Sequence, residues 1–232
     1  MASYNSNYGN SYQRNTPVIT NLIVINVVVY VFQLIFRKSN PLFTFMGSLH
    51  LSKSEYFRPY QLVTHMFMHD PSNFGHILFN MFALWMFGTI LEKYWGPKRF
   101  LIFYLICGVG AGLISMLALN YQYDQYLHGT PLPDIYGSID EFLNEPSLGA
   151  SGAIMGVLAA FAYLFPNSEL FIMFIPIPVK AKYAIPGFVL IDLFGGIYNR
   201  TDGIAHFAHL GGALVGFLIV FFWNKTNKRT FY

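Results

Sequence analysis

The chain has 232 residues, of which 54% are hydrophobic, 19% aromatic and only 11% charged. Soluble domains contain roughly 25% charged residues, so this composition indicates a polytopic membrane protein. The formal net charge of +3 is small and dispersed along the chain, which argues against a nucleic-acid-binding protein. Cys107 is the sole cysteine, so an intrachain disulfide and a thiolate metal cluster are both excluded.

The chain begins with a polar stretch and continues with six apolar segments. Residues 1–16 are rich in Ser, Asn and Tyr and lack the apolar core of a cleavable signal peptide, so we expect a disordered cytoplasmic tail. Each apolar segment is near the roughly 20 residues that span a bilayer. The segments are 17–36, 74–94, 99–120, 149–165, 183–198 and 204–223. We therefore predict an all-α bundle of six transmembrane helices over residues 17–224, followed by a short basic cytoplasmic tail, residues 225–232.

The connections differ in character. The first loop, residues 37–73, is apolar enough to lie in the membrane interface. The third, about residues 121–146, is acidic and contains several prolines. Pro186 and Gly187 are expected to interrupt the fifth helix, because proline removes a backbone hydrogen bond inside a helix. We expect this helix to open as a gate towards the second one, with the fifth loop, residues 198–203, covering a cavity that faces outwards.

Basic residues predict the orientation of the helices. With the N-terminus inside, nine Lys and Arg lie on the inner side and five on the outer side. The inner residues are Arg14, Lys93, Lys98, Arg99, Lys180, Lys182, Lys225, Lys228 and Arg229; the outer ones are Arg37, Lys38, Lys53, Arg58 and Arg200. The excess of cations inside favours cytoplasmic N- and C-termini. The six-helix layout without appended domains predicts a bacterial inner membrane, with the site described next open to its outer face.

Polar residues cluster near one end of three segments. In this orientation the second, fourth and sixth segments run inwards, and each has its unusual polar residues near its outer start. These residues are His76 and Asn80, then Ser151, then His206 and His209. Residues three or four apart share a helix face. Because polar side chains inside a bilayer normally face the bundle interior or a water-filled cavity, three such groups at one depth predict a single site.

Ser151 lies between glycines at the start of the fourth segment. Small residues four apart, at 152–156 and again at 212–216, let two helix backbones approach closely. Ser151 and His209 lie just outward of these two pairs. We therefore expect the Ser151 hydroxyl and the His209 imidazole to come within hydrogen-bonding distance.

This pair of side chains suits acyl transfer. A serine becomes a nucleophile when a base removes its proton, and a neutral histidine is the usual base. The backbone N–H of Ser151, together with His76 and Asn80, could stabilise the oxyanion. We expect no carboxylate beside His209, which predicts a catalytic dyad. Asp192, halfway along the fifth segment, is expected to make a structural hydrogen bond or to be neutral.

Three motifs resemble, in order, the signatures of the rhomboid intramembrane serine proteases. They are His76–Asn80, Gly149–Gly152 and Ala208–Gly216, with a first-loop arginine, Arg58, and an inner-side acidic motif, Leu91-Glu92. The resemblance covers about residues 17–224. It implies Ser151 as nucleophile, His209 as general base and acid, and His76 and Asn80 as oxyanion donors. It also implies hydrolysis of peptide bonds in transmembrane protein substrates without a metal or cofactor.

One position departs from this family. Its members often carry an aromatic residue one turn after the serine, on which the catalytic imidazole stacks, whereas this chain has Met155. A thioether can still pack against an imidazole edge, so we expect an altered ring orientation and not an inactive protein.

The polar residues are also compatible with other functions. His65 and His69 have a spacing that could bind zinc, but Met66 stands where a zinc protease has its glutamate, so we expect both to brace the first loop. His206 is expected near the site or facing a loop. A rhomboid-like protein that binds transmembrane clients without cleaving them is the main alternative, and a small transporter is another. The oligomeric state is left open.

Overall fold

The structure is a computed structural model that describes residues 16–133, 135–171, 178–198 and 203–226, with the side chains of 195–205 and 226 left out. The described chain is almost entirely helical. The helices are α1 Pro17–Phe36, α2 Leu42–Gly47, α3 Gln61–Thr64, α4 Phe74–Ala83, α5 Thr89–Trp95, α6 Pro97–Leu127, α7 Ile139–Asn144, α8 Ser151–Leu164, α9 Ala181–Tyr198 and α10 Gly203–Thr226. A 3₁₀ turn, His65–Phe67, follows α3, and a π-helical stretch, Leu84–Gly88, joins α4 to α5. Two short antiparallel strands, β1 Glu169–Leu170 and β2 Val179–Lys180, precede α9.

Each of the six apolar segments picked out in the sequence forms a helix in the part of the chain that the structure describes. Four of them are long and apolar enough to cross a membrane, namely Pro17–Phe36, Phe74–Trp95, Pro97–Leu127 and His206–Lys225. Ser151–Leu164 is a shorter apolar helix, and α9 is the sixth. The prediction of an all-α membrane bundle is confirmed.

α6 lies at the centre of the bundle. Its side chains Phe100, Tyr104 and Cys107 have no exposed surface and belong to the main hydrophobic core. The helix has 31 residues and continues to Leu127, so the predicted boundary at residue 120 was too early. At 1.5 Å per residue it is about 46 Å long, more than the hydrocarbon thickness. Its far end packs Leu119 against Phe142 of α7 in a second, smaller core.

α8 and α10 cross with their backbones in contact. A Cβ added at Gly216 would lie 2.5 Å from the Gly156 Cα, and one added at Gly212 would overlap the Gly152 carbonyl. On its other side α8 meets α6, where the Gly156 backbone lies against Cys107. The two small-residue pairs therefore form the close crossing that the sequence predicts, and this crossing fixes the first residues of α8 beside α10.

α9 is a continuous helix, so the expectation that Pro186 and Gly187 interrupt it was wrong. Pro186 lies inside Ala181–Tyr198 and costs only the hydrogen bond that its missing N–H would make one turn back. The start of α9 is held by backbone bonds from Ala181 to Ser168 and from Lys182 to Pro166, at 2.8 and 3.1 Å. Packing on α8 and α10 holds the rest of the helix, as membrane helices with proline commonly require.

The first loop is an ordered substructure beside the outer helix ends. The buried Gln61 amide donates to the carbonyls of Met46 and Tyr56, and its oxygen accepts from the Arg58 N–H at 3.1 Å. Leu49 exchanges backbone hydrogen bonds of 2.8 Å with Ser147, just before α8. These bonds join the first loop to the segment that leads into Ser151.

Candidate active site

Ser151 and His209 are in direct contact. Ser151 is the first residue of α8, His209 lies in α10, and the Ser151 Oγ is 2.8 Å from the His209 Nε2. The close crossing of the two helices produces this distance, because both residues lie just outward of the glycine contacts. The expected hydrogen bond between the two side chains is therefore present.

A carboxylate lies beside His209, contrary to the expectation that none would. The Asp192 Oδ2 is 3.0 Å from the His209 Nδ1, and the Asp192 Oδ1 is 2.8 Å from the His206 Nδ1. The Asp192 side chain is 12% exposed. Because α9 continues past Pro186 as a regular helix, Asp192 faces α10 and its two histidines. The structural hydrogen bond expected for Asp192 is thus made to His209 itself, and His206 lies in the site.

His76 points its outer ring nitrogen towards the serine. The backbone N–H of Asp70 donates to the His76 Nδ1 at 3.2 Å, so the neutral ring carries its proton on Nε2. A Cβ added at Gly149 would lie 3.0 Å from this Nε2 and 3.5 Å from the Ser151 Oγ. Gly149 also has φ +129°, a conformation that favours glycine. The absence of a side chain at this position leaves room between the His76 N–H and the serine.

The Asn80 amide makes a hydrogen bond within its own helix. Its amide Nδ2 donates to the backbone carbonyl of His76 at 2.7 Å, within α4. The side chain is buried, with 8% of its surface exposed. One of its two amide hydrogens is therefore used inside its own helix. The structure brings His76 next to Ser151 and leaves Asn80 one turn further along α4.

His65 and His69 support the site from the first loop. The His65 Nδ1–H donates to the Gln61 carbonyl at 2.8 Å, and the His65 carbonyl accepts from the Gly149 N–H at 2.9 Å. The His69 ring lies 5.1 Å from the His76 ring, between centroids. Burial lowers the pKa of both His65 and His69 to about 4. Within the described ranges, no three His, Cys, Asp or Glu side chains converge where they could hold a metal ion.

The sequence contained one indication that Asp192, which we did not expect beside His209, belongs to the site. An ionisable side chain within a membrane segment marks a functional site by default, and Asp192 is such a residue. The hydrogen bond from the Asp70 backbone N–H to His76 could not be predicted from the sequence, because it depends on how the chain turns between Asp70 and α4. Met155, one turn after Ser151, is buried in α8. The predicted cover, residues 198–203, lies for the most part outside the described residues.

The arrangement of a serine, a histidine and a second histidine at three helix starts can be compared with known proteins. A family model described as the Rhomboid domain matches residues 56–225. This chain belongs to the rhomboid family. The matched range contains Ser151, His209, His76 and Asn80, and it leaves α1 outside.

Curated relatives of this rhomboid protein include one from a plant, one from a yeast and one from a bacterium. It is 30% identical over 218 residues to "RHOMBOID-like protein 12, mitochondrial" of Arabidopsis thaliana, covering 92% of this chain and 60% of the relative. It is 31% identical over 157 residues to "Rhomboid protein 1, mitochondrial" of Saccharomyces cerevisiae, covering 67% and 40%. It is 29% identical over 214 residues to "Rhomboid protease AarA" of Providencia stuartii, covering 85% and 69%. The chain thus spans 60% or less of the length of the first two relatives.

These names correct the expected location of this rhomboid protein. The prediction of a bacterial inner membrane was wrong, because the relatives from Arabidopsis and yeast are mitochondrial. That prediction came from the six-helix layout without appended domains. The length of a spanning helix reflects the thickness of the hydrocarbon layer, and the number of helices carries no information about which membrane holds them, so neither separates a bacterial from an organellar membrane.

Proposed function

We propose that this rhomboid protein is a serine endopeptidase that hydrolyses peptide bonds in or near the transmembrane segments of membrane proteins. The observation that carries the proposal is the 2.8 Å contact between the Ser151 Oγ and the His209 Nε2 at the start of a buried helix. A nucleophile in hydrogen-bonding contact with its base is the geometry that covalent acyl transfer needs. A relative from Providencia stuartii is named a protease, which supports the same reaction class.

In the proposed reaction, the His209 Nε2 takes the proton of the Ser151 hydroxyl while the oxygen attacks the carbonyl carbon of the scissile peptide bond. The tetrahedral intermediate collapses when His209 gives that proton to the leaving amine, so the peptide C–N bond breaks and an acyl-enzyme forms. A water molecule, activated in the same way, then releases the new carboxyl end and restores the serine. No step requires a metal or a cofactor.

Two N–H groups are placed to stabilise the oxyanion. The His76 Nε2–H faces Ser151 across Gly149. Ser151 is the first residue of α8, where backbone N–H groups have no acceptor within the helix and the helix dipole favours negative charge. Asn80 has a second amide hydrogen that its bond to the His76 carbonyl does not use. We assign His76 and the Ser151 N–H as the main donors and Asn80 as an additional one.

The substrates and the membrane follow from the setting of the site. Ser151 lies at one end of the membrane bundle, so the proposed substrates are transmembrane proteins whose helices unwind locally to reach it. The lipid bilayer is the second partner that the apolar helices require. Because the relatives from Arabidopsis and yeast are mitochondrial, we place this protein in a mitochondrial membrane.

Labelling of purified protein with a fluorophosphonate probe tests this proposal, together with cleavage of a model transmembrane substrate in proteoliposomes. We expect the parental protein to be labelled and to cleave the substrate. Ser151→Ala should lose both, and His209→Ala should lower kcat by about 10⁴-fold or more, because such residues act as a unit. A protein that binds transmembrane clients without cutting them would retain the client and show neither labelling nor cleavage. That result would overturn the proposal.

A further inference from the structure

The Asp192 carboxylate joins two histidines of α10 to a different helix. Its oxygens lie 3.0 Å from the His209 Nδ1 and 2.8 Å from the His206 Nδ1, and its side chain is mostly buried. The geometry points to Asp192 as a positioning residue that holds His209 in the tautomer and orientation needed to deprotonate Ser151, with His206 holding the carboxylate in turn. This inference rests on the proposed function and adds a third member to the proposed dyad.

The hydrogen-bonding capacity of the Asp192 carboxylate determines the tautomer of His209. An ionised carboxylate accepts hydrogen bonds and donates none. A neutral imidazole that faces it through Nδ1 must therefore carry its proton on Nδ1, which leaves a lone pair on Nε2. In His209 that Nε2 is the atom 2.8 Å from the Ser151 Oγ. The carboxylate thus makes His209 an acceptor on the side of the serine.

A protonated Asp192 would favour the other tautomer of His209. A neutral Asp192 would donate its O–H to one histidine Nδ1, and if that histidine were His209, the ring would carry its proton on Nε2. Such a ring would donate to the Ser151 oxygen and could not accept its proton. The protonation state of Asp192 therefore determines the tautomer of His209, and this tautomer can be measured directly.

His206 gives the second carboxylate oxygen a partner. A buried charge is costly unless its oxygens are hydrogen-bonded, and two imidazole N–H groups satisfy one oxygen each. His206 and His209 are three apart on α10, so they present their rings on one face to Asp192 of α9. With both oxygens bonded, the carboxyl plane is fixed relative to α10. Rotation of the His209 ring would break the bond to Oδ2.

The carboxylate also acts after the proton moves. When His209 takes the serine proton it becomes an imidazolium, and its positive charge then lies next to Asp192. In mostly buried surroundings this attraction is stronger than in water. No proton is transferred to Asp192, and the Ser151 proton stays on His209 Nε2 until the leaving amine receives it.

The first test measures the tautomer in the unaltered protein. The full chain is labelled with ¹⁵N-histidine, placed in lipid nanodiscs, and studied by ¹⁵N NMR at a pH where the imidazoles are neutral. The signals of His209 are assigned by their loss in His209→Gln. We expect a protonated Nδ1 and an unprotonated Nε2 in His209. A His209 ring protonated on Nε2 would overturn the inference, whether or not the protein cleaves substrates.

The second test measures kinetics. Asp192→Asn offers one carbonyl oxygen to two Nδ1–H groups, and we expect kcat to fall by about 10²–10⁴-fold with KM little changed, as when the carboxylate of a serine protease triad is replaced. Asp192→Glu should recover part of the rate. Asp140→Asn removes an exposed carboxylate of α7 and should leave kcat unchanged. Parental kcat in Asp192→Asn, or equal losses in Asp192→Asn and Asp140→Asn, would overturn the inference.

The two tests separate the inference from the proposed function. If the fluorophosphonate probe fails to label the parental protein, the proposed function fails, and the NMR result still decides how His209 is held. If Asp192→Asn does not fold, as judged by thermal melting, the tautomer of the unaltered protein remains the deciding measurement.

Discussion

Gly212 of α10 lies so close to Gly152 of α8 that even a Cβ at Gly212 would overlap the Gly152 carbonyl. The contact occurs three residues from His209 along α10 and one residue from Ser151 along α8. The spacing of the two backbones therefore sets the distance between the Ser151 hydroxyl and the His209 imidazole, the proposed nucleophile and base. A side chain added at Gly212 would therefore change the distance between Ser151 and His209 as well as the stability of the helix packing.

Gly212→Ala tests this relationship. The added methyl must push α10 away from α8, so we expect a lower melting temperature, a destabilisation of about 1–3 kcal/mol and much slower labelling of Ser151. Gly187→Ala is the matched control, because a Cβ at Gly187 in α9 meets nothing within 4 Å. Equal melting temperatures and labelling rates in the two variants would show that the helix crossing does not control the site.

Substitution of His76 and Asn80 ranks the two side chains that we propose as oxyanion donors. His76→Ala should lower kcat by about 10²–10³-fold, because its N–H bonds strengthen as charge develops on the carbonyl oxygen. Asn80→Ala should cost less, since one amide hydrogen of Asn80 already serves the His76 carbonyl. Steady-state cleavage of a transmembrane substrate gives kcat and KM separately. A rise in KM alone would reassign His76 from catalysis to binding.

The stability of the fold should depend on pH through two buried histidines. The pKa of His65 and of His69 is lowered to about 4 by burial, whereas the imidazole of an unfolded chain titrates near 6.5. Below about pH 6.5 the unfolded chain binds protons that the folded chain excludes. The free energy of unfolding is therefore unaffected above that pH and falls between about pH 6.5 and pH 4.

Melting temperatures at about pH 7.5 and about pH 5 check this expectation. His65→Asn keeps an amide that can donate to the Gln61 carbonyl and has no proton to bind, so its loss of stability on acidification should be smaller. His128→Asn, at an exposed position after α6, is the control. If His65→Asn lost as much stability as the parental protein, His65 would not be the source of the pH dependence.

Lateral access to the site remains a prediction from the sequence. A disulfide between cysteines placed near the outer ends of α4 and α9 should block cleavage of transmembrane substrates and leave labelling of Ser151 by a small probe intact. The native Cys107 is buried, so it should not interfere. Parental cleavage by the cross-linked protein would exclude entrance between these helices, and the Ser151–His209 chemistry would be unaffected.

Local patterns in the sequence were sufficient for the helices and for the pairing of Ser151 with His209. Apolar length predicts a membrane helix, and glycines four apart predict a close crossing, so both could be read directly. The contact of Asp192 with His209 could not be predicted from the sequence, because it depends on how α9 is rotated about its axis relative to α10. The continuity of α9 through Pro186 was misjudged for the same reason, since contacts with neighbouring helices outweigh the local preference.

α1 is attached near both of its ends to residues far away in sequence, Glu92 near its start and His69 near its end. Near its start, the buried Glu92 accepts from the Val18 and Ile19 N–H groups at 3.0 and 2.9 Å. Near its end, the Gln33 amide pairs with the backbone of His69, at 2.8 and 3.0 Å. The helix thus acts as a spacer of about 22 Å between these two attachments, at 1.5 Å per residue.

Because its length is fixed, α1 fixes the distance and the relative rotation of its two attachment points. One residue inserted between the two attachments would turn the far end by about 100° and lengthen it by about 1.5 Å, so both pairs of hydrogen bonds could not form together. The His69 backbone would then lose its partner, and the His69 ring lies against His76. The number of residues in α1, a helix that carries none of the proposed reacting groups, therefore helps to determine where the ring of His76, the proposed oxyanion donor, lies.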